Sequence, residues 1–240
     1  MLKLLHKLLL LLVLFSPHVL NAQNWQWAKK HGGGVGTSSD NITPYDIATD
    51  GSGNSYVTGY FNGVAVFGEH TLTSSGGNDI FIAKYDFNGN VVWAKRAGGE
   101  SSDYGISIAL DASGNSYVTG GFYGDATFES ATLTSESGSS DIFVSKYNPS
   151  GALLWAKRLG GSGYETGDQI QLDNAGNVYL GGDFYGTAVF GQVTFSTSGT
   201  DYDNYIAKLD PSGNVIWAQW IKSESNSFIG DMDVDATGNV

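Results

Sequence analysis

The sequence predicts an all-β fold built from a unit that repeats about every 62 residues, a step typical of repeat architectures. An Asp-x-x-Gly-Asn turn begins at nearly equal intervals along the chain, at Asp50, Asp111, Asp173 and Asp235. The tryptophan of a Trp-Ala-Lys or Trp-Ala-Gln motif recurs at the same interval, at Trp93, Trp155 and Trp217. Abundant glycine (34 residues) and 13% aromatic residues suit turns and strands, and no long segment has a helical apolar period.

The first strand of each unit, strand A, is predicted from a period of two. Residues 106–110 alternate between large apolar and small side chains, and residues 170–172 and 232–234 repeat the pattern. The Asp-x-x-Gly-Asn turn follows, in which the aspartate can accept hydrogen bonds from the turn backbone and the glycine can take a positive φ.

Three more strands complete the unit. Strand B is predicted at 55–59, 116–120 and 178–182. A Phe-x-Gly-x-Ala-x-Phe segment follows at 61–67, 122–128 and 184–190, and a short Thr-Leu-Thr or Thr-Phe-Ser piece after it predicts a small outer hairpin. Strand C is predicted at 79–85, 141–147 and 203–209, and strand D, after a second turn, at 91–96, 153–158 and 215–220.

A four-stranded unit repeated at a fixed step is typical of a β-propeller blade. We expect blades at about 45–96, 106–158 and 168–220, a partial blade at 229–240, and a lone strand D at 24–30. Closed propellers typically contain about 4–8 blades. The sequence therefore predicts an all-β, incomplete β-propeller that is a fragment of a longer chain. A β-solenoid is the alternative architecture.

Residues 1–22 have the layout of a secretory signal peptide. Lys3 and Lys7 give a basic start, an apolar run extends from Leu8 to Phe15, and Ala22 offers a small residue before a cut. The run is too short to span a bilayer, which takes about 20 residues. We expect a secreted or cell-surface protein with no membrane insertion after cleavage. An uncleaved anchor is the alternative.

The charge excludes one class of partner. The net charge is −12, and removal of Lys3 and Lys7 with the signal peptide leaves −14. Such a protein repels phosphate backbones, so we expect it to bind neither nucleic acid nor anionic membranes. The chain has no cysteine although the predicted compartment permits disulfides, which favours a bacterial source.

The repeat resembles the bacterial SBBP β-propeller repeat. The pattern Asp-x-x-Gly-Asn-x-Tyr-Val-Thr-Gly, followed by Asp-x-Phe-Val-Ala-Lys-Tyr-Asp-x-x-Gly and a tryptophan, is met at 50–59 with 79–93 and at 111–120 with 141–155. The third unit departs mildly, at Gly181, Asn204-Tyr205 and Leu209. The resemblance covers about residues 24–240. It implies a secreted or surface-displayed bacterial protein, often with a sorting domain of the type IX secretion system, and it implies no reaction and no ligand.

Candidate catalytic groups are few. Beyond the signal peptide the chain has two histidines, His31 and His70, no cysteine and no Gly-x-Ser-x-Gly motif. The common nucleophile arrangements and zinc sites therefore lack parts. We assign no catalytic, cofactor-binding or metal-binding residue, and we expect a protein that is not an enzyme and needs no cofactor.

Several repeated or motif-like residues have two interpretations. The tryptophans at 27, 93, 155 and 217 are interpreted as packing between blades rather than as a sugar platform or a cofactor dock. The pairs Asp79/Lys84, Asp141/Lys146 and Asp203/Lys208 are interpreted as structural charges with partners on a neighbouring blade. Asp231-x-Asp233-x-Asp235 is similar to the start of a calcium loop but lacks the glycine at its sixth position, and the glycines at 161, 163 and 167 are interpreted as a loop.

The sequence thus favours a binding or display scaffold for an unknown protein or glycan. The loops that connect strand D to the next strand A are the expected ligand site, because loops on a rigid scaffold usually carry recognition. We place them at His31–Pro44, Ala97–Gly105 and Leu159–Gly167. The alternatives are a polysaccharide-active enzyme with its active site in missing blades or domains, and a structural spacer.

Overall fold

A computed structural model describes residues 32–33, 41–136, 138–198, 201–235 and 237–240. The predicted signal peptide, the lone strand D at 24–30 and Trp27 lie outside these residues. The strands, in chain order, are β1 (Gly32–Gly33), β2 (Asn41–Thr49), β3 (Ser55–Asn62), β4 (Val64–Phe67), β5 (His70–Thr73), β6 (Asp79–Tyr85), β7 (Val91–Gly98), β8 (Tyr104–Leu110), β9 (Ser116–Tyr123), β10 (Asp125–Phe128), β11 (Ala131–Thr134), β12 (Ser140–Tyr147), β13 (Leu153–Leu159), β14 (Tyr164–Leu172), β15 (Val178–Tyr185), β16 (Thr187–Phe190), β17 (Val193–Ser196), β18 (Asp203–Leu209) and β19 (Val215–Ile221).

The described strands form three four-stranded antiparallel blades, each in the order A-B-C-D. Blade 1 contains β2-β3-β6-β7, blade 2 contains β8-β9-β12-β13 and blade 3 contains β14-β15-β18-β19. The A strands of successive blades contact each other, β2 against β8 and β8 against β14, so strand A lies on the inner side and strand D on the outer side. The described part of the chain is thus all-β, and none of its segments is a helix long and apolar enough to cross a membrane.

The predicted outer hairpins are present and they connect neighbouring blades. The pairs β4–β5, β10–β11 and β16–β17 are antiparallel hairpins between strands B and C. Strand β10 of blade 2 also pairs with the end of β7 in blade 1, with Thr127 opposite Gly98. In the next blade, the Gly160 N–H donates to the Val189 carbonyl at 3.2 Å. The hairpins of blades 2 and 3 therefore connect to the end of strand D of the preceding blade, which the sequence pattern does not show.

The Phe-x-Gly-x-Ala-x-Phe segment supplies the core of each hairpin. In blade 2, Phe122, Ala126 and Phe128 have no exposed surface, because alternate residues of a strand face the same side. Gly124 has a φ of 66°, a left-handed conformation that favours glycine, and its N–H donates to Ser135 Oγ at 2.7 Å. The motif therefore buries its aromatic rings and fixes the turn into the hairpin.

The Asp-x-x-Gly-Asn turns form as the sequence predicts. At Asp111, Oδ1 accepts from the Ser113 and Asn115 N–H groups at 2.9 and 3.0 Å, and Oδ2 accepts from Asn115 Nδ2 at 2.7 Å. Gly114 takes a φ of 76°. Desolvation by burial raises the pKa of Asp111, but these hydrogen bonds favour the charged carboxylate and together bring its pKa below the ordinary value.

Trp93 and Trp155 pack between blades, as predicted. Trp93 of blade 1 is only 6% exposed, and its Nε1 donates to the Pro149 carbonyl of blade 2 at 3.1 Å. A Cβ added to Gly151 would lie 2.8 Å from the Trp93 ring, and Gly213 of blade 3 lies in the same way against Trp155. The second turn of each following blade thus covers the tryptophan of the blade before it.

The prediction for the repeated Asp/Lys pairs was partly wrong, because the ionic partners lie on the same blade. Asp79 pairs with Arg96 at 2.8 Å, and Asp141 pairs with Arg158. Strands C and D are neighbours, so the aspartate at the start of strand C meets the arginine near the end of strand D. The lysines also find partners within their own blades, as Lys208 does with Asp173 at 3.2 Å. Only the contact of Lys84 with the Pro149 carbonyl, at 3.2 Å, reaches a neighbouring blade.

The strand predicted at 232–234 is also absent from the structure. In blades 1 to 3, strand A pairs with strand B of its own blade, whereas residues 232–234 pair with no strand among the residues that the structure describes. The turn itself is kept, with Asp235 Oδ1 accepting from the Asn239 N–H at 2.9 Å. Met232 remains 7% exposed and packs on blade 3 near Gly181.

Candidate functional site

The loops from strand D to strand A are shorter than the sequence predicts. Strand β7 ends at Gly98 and β8 begins at Tyr104, so the first described loop is 99–103. Strand β13 ends at Leu159 and β14 begins at Tyr164, which leaves 160–163. Pro44 lies inside β2, whereas His31 and residues 34–40 are outside the described residues. The loop glycines at 161 and 163 precede a strand, as predicted, and Gly167 lies within β14.

Buried carboxyl groups hold these loops in place. Asp103 has no exposed surface, and it accepts from the Gly99 N–H at 2.8 Å and the Tyr123 N–H at 3.1 Å. Burial raises its pKa to about 6, and the nearby charge of Asp79 adds to the increase. Glu165 is equally buried. It is the second residue of β14, directly after the loop at 160–163, and it lies beside Asp141. Burial raises its pKa to about 8. These groups lie under the loops, so they are structural rather than ligand-facing.

A β-bulge recurs at the same place in every strand A. The register with strand B shifts between Pro44 and Asp46, between Gly105 and Ser107, and between Gly167 and Gln169. The extra residues are Tyr45, Ile106 and Asp168. A bulge re-aims the extra side chain and is frequent next to functional sites. Tyr45 is 54% exposed, so the bulge in blade 1 presents an aromatic ring to solvent.

Tyrosines cluster at the same end of the blades, where strand A begins and strand B ends. In one group, the Tyr60 ring centroid lies 5.6 Å from that of Tyr45 and 5.2 Å from that of Tyr104. In the other group, Tyr164 lies 6.4 Å from Tyr123 and 5.6 Å from both Tyr185 and Tyr202. Phe228 extends this group, 5.8 Å from Tyr202 and 67% exposed. We call these two groups the tyrosine surface, which consists of Tyr45, Tyr60, Tyr104, Tyr123, Tyr164, Tyr185, Tyr202 and Phe228.

The rings of the tyrosine surface come from different blades. Tyr60 lies near the end of strand B of blade 1, and Tyr104 begins strand A of blade 2. Tyr123 ends strand B of blade 2 and Tyr164 begins strand A of blade 3. The second pair is displaced by two residues along both strands relative to the repeat, which keeps its side chains on the same face. An aromatic pair therefore marks each of the two described blade junctions.

Two carboxyl groups lie beside the second group of rings. Asp183, 5% exposed, accepts from Asn204 Nδ2 at 2.5 Å and from the Ile229 N–H at 3.3 Å, both through Oδ1. Asp168, at the bulge, accepts from Thr166 Oγ1 at 3.2 Å. Burial raises the pKa of Asp168 to about 7, and the negative charge of Asp183 raises it further. Burial also raises the pKa of Asp183.

The carboxylates of the calcium-like motif accept hydrogen bonds from backbone N–H groups close by in the chain. Asp231 Oδ1 accepts from the Met232 N–H at 2.8 Å, and Asp233 Oδ1 accepts from the Val234 N–H at 2.9 Å. Asp235 holds its own turn, as described above. Among the residues that the structure describes, no group of three or more His, Cys, Asp or Glu side chains is arranged to hold a metal ion.

The D-to-A loops predicted from the sequence lie at the same end of the blades as the tyrosine surface, but the sequence did not single out these residues. Their signal in the sequence is the recurrence of tyrosine around the D-to-A loops, where Tyr123 and Tyr185 occupy equivalent positions in successive repeats. Tyr60 and Tyr104 are offset by two residues from the repeat positions of Tyr123 and Tyr164, which a comparison at a fixed step does not detect. The distance between Asp168 and Asp183 in sequence likewise gives no sign of their proximity.

The comparisons with known proteins agree with this fold. The model of the SBBP family, described as a β-propeller repeat, matches residues 34–65 and 92–120. A WD repeat-containing protein of Acanthamoeba polyphaga mimivirus is 30% identical over 169 residues, and the regulatory protein FlaEY of Caulobacter vibrioides is 25% identical over 169 residues. The matches cover 62% and 68% of this chain, but only 12% and 18% of those two proteins.

The blades and their repeat place this chain in the class of β-propeller repeat proteins. More specifically, two of its segments, residues 34–65 and 92–120, match the SBBP β-propeller repeat, and the described strands form repeated four-stranded blades.

Proposed function

We propose that this chain is a non-enzymatic scaffold, secreted or displayed on the cell surface, that binds its ligand at the D-to-A end of the blades. The observation that carries the proposal is the tyrosine surface. It combines partly exposed aromatic rings with carboxyl groups on strands that are fixed by a buried core. Tyrosine provides a large, rigid contact area with a polar end, which is why it is common in binding sites.

Three further features support the proposal. Residues 1–22 have the composition of a signal peptide, and the repeat resembles that of secreted or surface bacterial proteins. The net charge of −12 disfavours binding to nucleic acid and anionic membranes. The two relatives are described by WD repeats and by a regulatory role, and both descriptions are compatible with a scaffold that binds other molecules.

The location is tested by expressing the full chain in a bacterial host and separating cytoplasm, envelope and medium. We expect the protein outside the cytoplasm with an N-terminus at Gln23. Retention in the cytoplasm with an intact N-terminus would contradict secretion.

The binding face is tested with a matched pair of surface variants. Phe228→Arg changes an exposed ring of the tyrosine surface, and Ile216→Arg changes a residue of similar exposure, 54%, on an outer strand D. The probes are a glycan array and a panel of intact bacterial and eukaryotic cells. We expect the wild type and Ile216→Arg to bind the same probes, with binding reduced only by Phe228→Arg. Equal binding by both variants, or no binding by the wild type, would refute the proposal.

One observation favours an enzyme as the second candidate. The pKa of Asp168 is raised to about 7 beside Asp183, and a pair of neighbouring carboxyl groups is typical of glycoside cleavage. An enzyme of this kind releases reducing ends from a polysaccharide, and Asp168→Asn abolishes the release without abolishing binding. If the wild type releases no reducing ends, the non-enzymatic scaffold stands.

A further inference from the structure

The tyrosine surface repeats with the blades, and this repetition bears on the ligand. Tyr60 with Tyr104 and Tyr123 with Tyr164 mark two successive blade junctions with an aromatic pair. After blade 3, Tyr202 and Phe228 continue the series. A row of similar contacts is matched best by a ligand that is itself a row of similar units. A linear polymer meets this condition, whereas a single small molecule uses one junction only.

The rings are fixed before a ligand arrives. The Tyr164 and Tyr185 rings are parallel within 1°, and the Tyr202 ring is nearly perpendicular to both, at 89° and 88°. Their centroids are 5.0–5.6 Å apart, which leaves no space for a cation between them. The rings therefore do not form a cage around an ammonium group. They offer flat apolar faces, and partial burial reduces the entropy lost on binding.

Flat aromatic faces suit the C–H faces of pyranose rings. The hydroxyl groups at the edge of a sugar are hydrogen-bond donors and need acceptors beside the ring. In the described residues, both hydrogen bonds given to Asp183 use Oδ1, so Oδ2 is available as an acceptor. Hydroxyl donors can satisfy a carboxylate without burying a second charge.

The charge of the surface selects among polysaccharides. Asp168 and Asp183 lie beside the rings. The cation–π contacts of the described residues involve other rings, those of Tyr56, Tyr117, Tyr179 and Trp220. The negative charge of these two carboxyl groups disfavours anionic polysaccharides such as alginate.

We propose that the tyrosine surface binds a neutral linear polysaccharide, with sugar rings stacked on tyrosines from successive blades and hydroxyl groups donating to Asp183. This inference rests on the proposed function, because it names the ligand class of the same face.

The test is native gel electrophoresis of the purified protein with polysaccharide in the gel. The neutral probes are hydroxyethyl cellulose, β-glucan and galactomannan, and the anionic probes are alginate and polygalacturonate. We expect at least one neutral polysaccharide to retard the protein and neither anionic one to do so. Retardation by no neutral polysaccharide, or equal retardation by the anionic ones, would overturn the proposal.

Variants locate the binding on the rings. Tyr185→Ala should weaken binding about fivefold, since one aromatic contact contributes about 1 kcal/mol. Tyr185→Phe keeps the ring and should bind nearly as the wild type does. Phe87→Ala removes an aromatic residue, 58% exposed, from the turn between strands C and D and serves as the control. Asp183→Asn tests the acceptor and should weaken binding while keeping the fold. Unchanged binding in both Tyr185→Ala and Asp183→Asn would contradict the assignment.

The polysaccharide proposal and the proposed binding function can be refuted separately. Cells that bind the protein through Phe228 are treated either with periodate, which cleaves sugar diols, or with protease. If periodate abolishes binding and protease does not, the polysaccharide proposal is supported. If protease abolishes binding and periodate does not, the polysaccharide proposal is refuted, but the proposed function as a binding scaffold remains. If untreated cells and the glycan array both bind nothing, the proposed function fails as well.

Discussion

Glu165 gives this protein a stability that depends on pH. Its side chain has no exposed surface, and burial raises its pKa from the ordinary 4.5 to about 8, with a further contribution from the charge of Asp141. A raised pKa in the folded state means that folding favours the protonated form. The stabilisation is therefore fully present below about pH 4.5 and is lost as the pH rises through about 8.

The substitution Glu165→Gln isolates this effect. Glutamine has nearly the shape of protonated glutamic acid but cannot ionise, so the two proteins should be equally stable at pH 4. Each pKa unit corresponds to about 1.4 kcal/mol, so the rise from 4.5 to about 8 should make the variant more stable by roughly 5 kcal/mol above pH 8. The difference in the free energy of unfolding between the two proteins should grow steadily between pH 4 and pH 8.

The assay is urea unfolding followed by tryptophan fluorescence at a series of pH values from 4 to 9. The matched control is Glu69→Gln, which removes a negative charge from an exposed turn residue. A stability difference for Glu165→Gln that does not change with pH would refute the reasoning. So would a variant that is less stable than the wild type at pH 8.

Three further predictions concern the packing of blades and turns, and each is checked by the free energy of unfolding in urea. Trp93→Ala should lower the free energy of unfolding by about 3 kcal/mol, because it leaves a cavity between blades 1 and 2. A decrease of less than about 1 kcal/mol would show that the ring does not hold the two blades together. Gly151→Ala should cost on the order of 2 kcal/mol, since the residue has a φ of 81° and its new Cβ would lie 2.8 Å from the Trp93 ring; an unchanged midpoint would contradict that contact. Asp111→Ala should cost about 1 kcal/mol by removing the hydrogen bonds of its turn, and Asp125→Ala, at an exposed hairpin position, provides the comparison.

Local features of the fold could be predicted because they depend on neighbouring residues. The Asp-x-x-Gly-Asn turn closes through hydrogen bonds between residues close together in the chain, so Asp111 and Gly114 are sufficient to specify it. Alternation of side chains likewise identifies strands such as β8, and a fixed step identifies the unit. The exception is 232–234, where the alternation is present but the partner strand is not, because a strand depends on hydrogen bonds with a second segment.

The candidate site is different in kind, since its residues meet only when blades are packed together. Tyr123 and Tyr164 belong to different blades, and Asp168 lies close to Asp183 because of a bulge that the sequence does not reveal. The connection of the β10 hairpin to β7 of the preceding blade is also a contact between units. The sequence alone thus determined the repeat, its turns and the end of the blades where a ligand is expected. Only the tertiary structure decided which rings and carboxyl groups lie there, because contacts between blades depend on distances in space that a repeat in sequence does not encode.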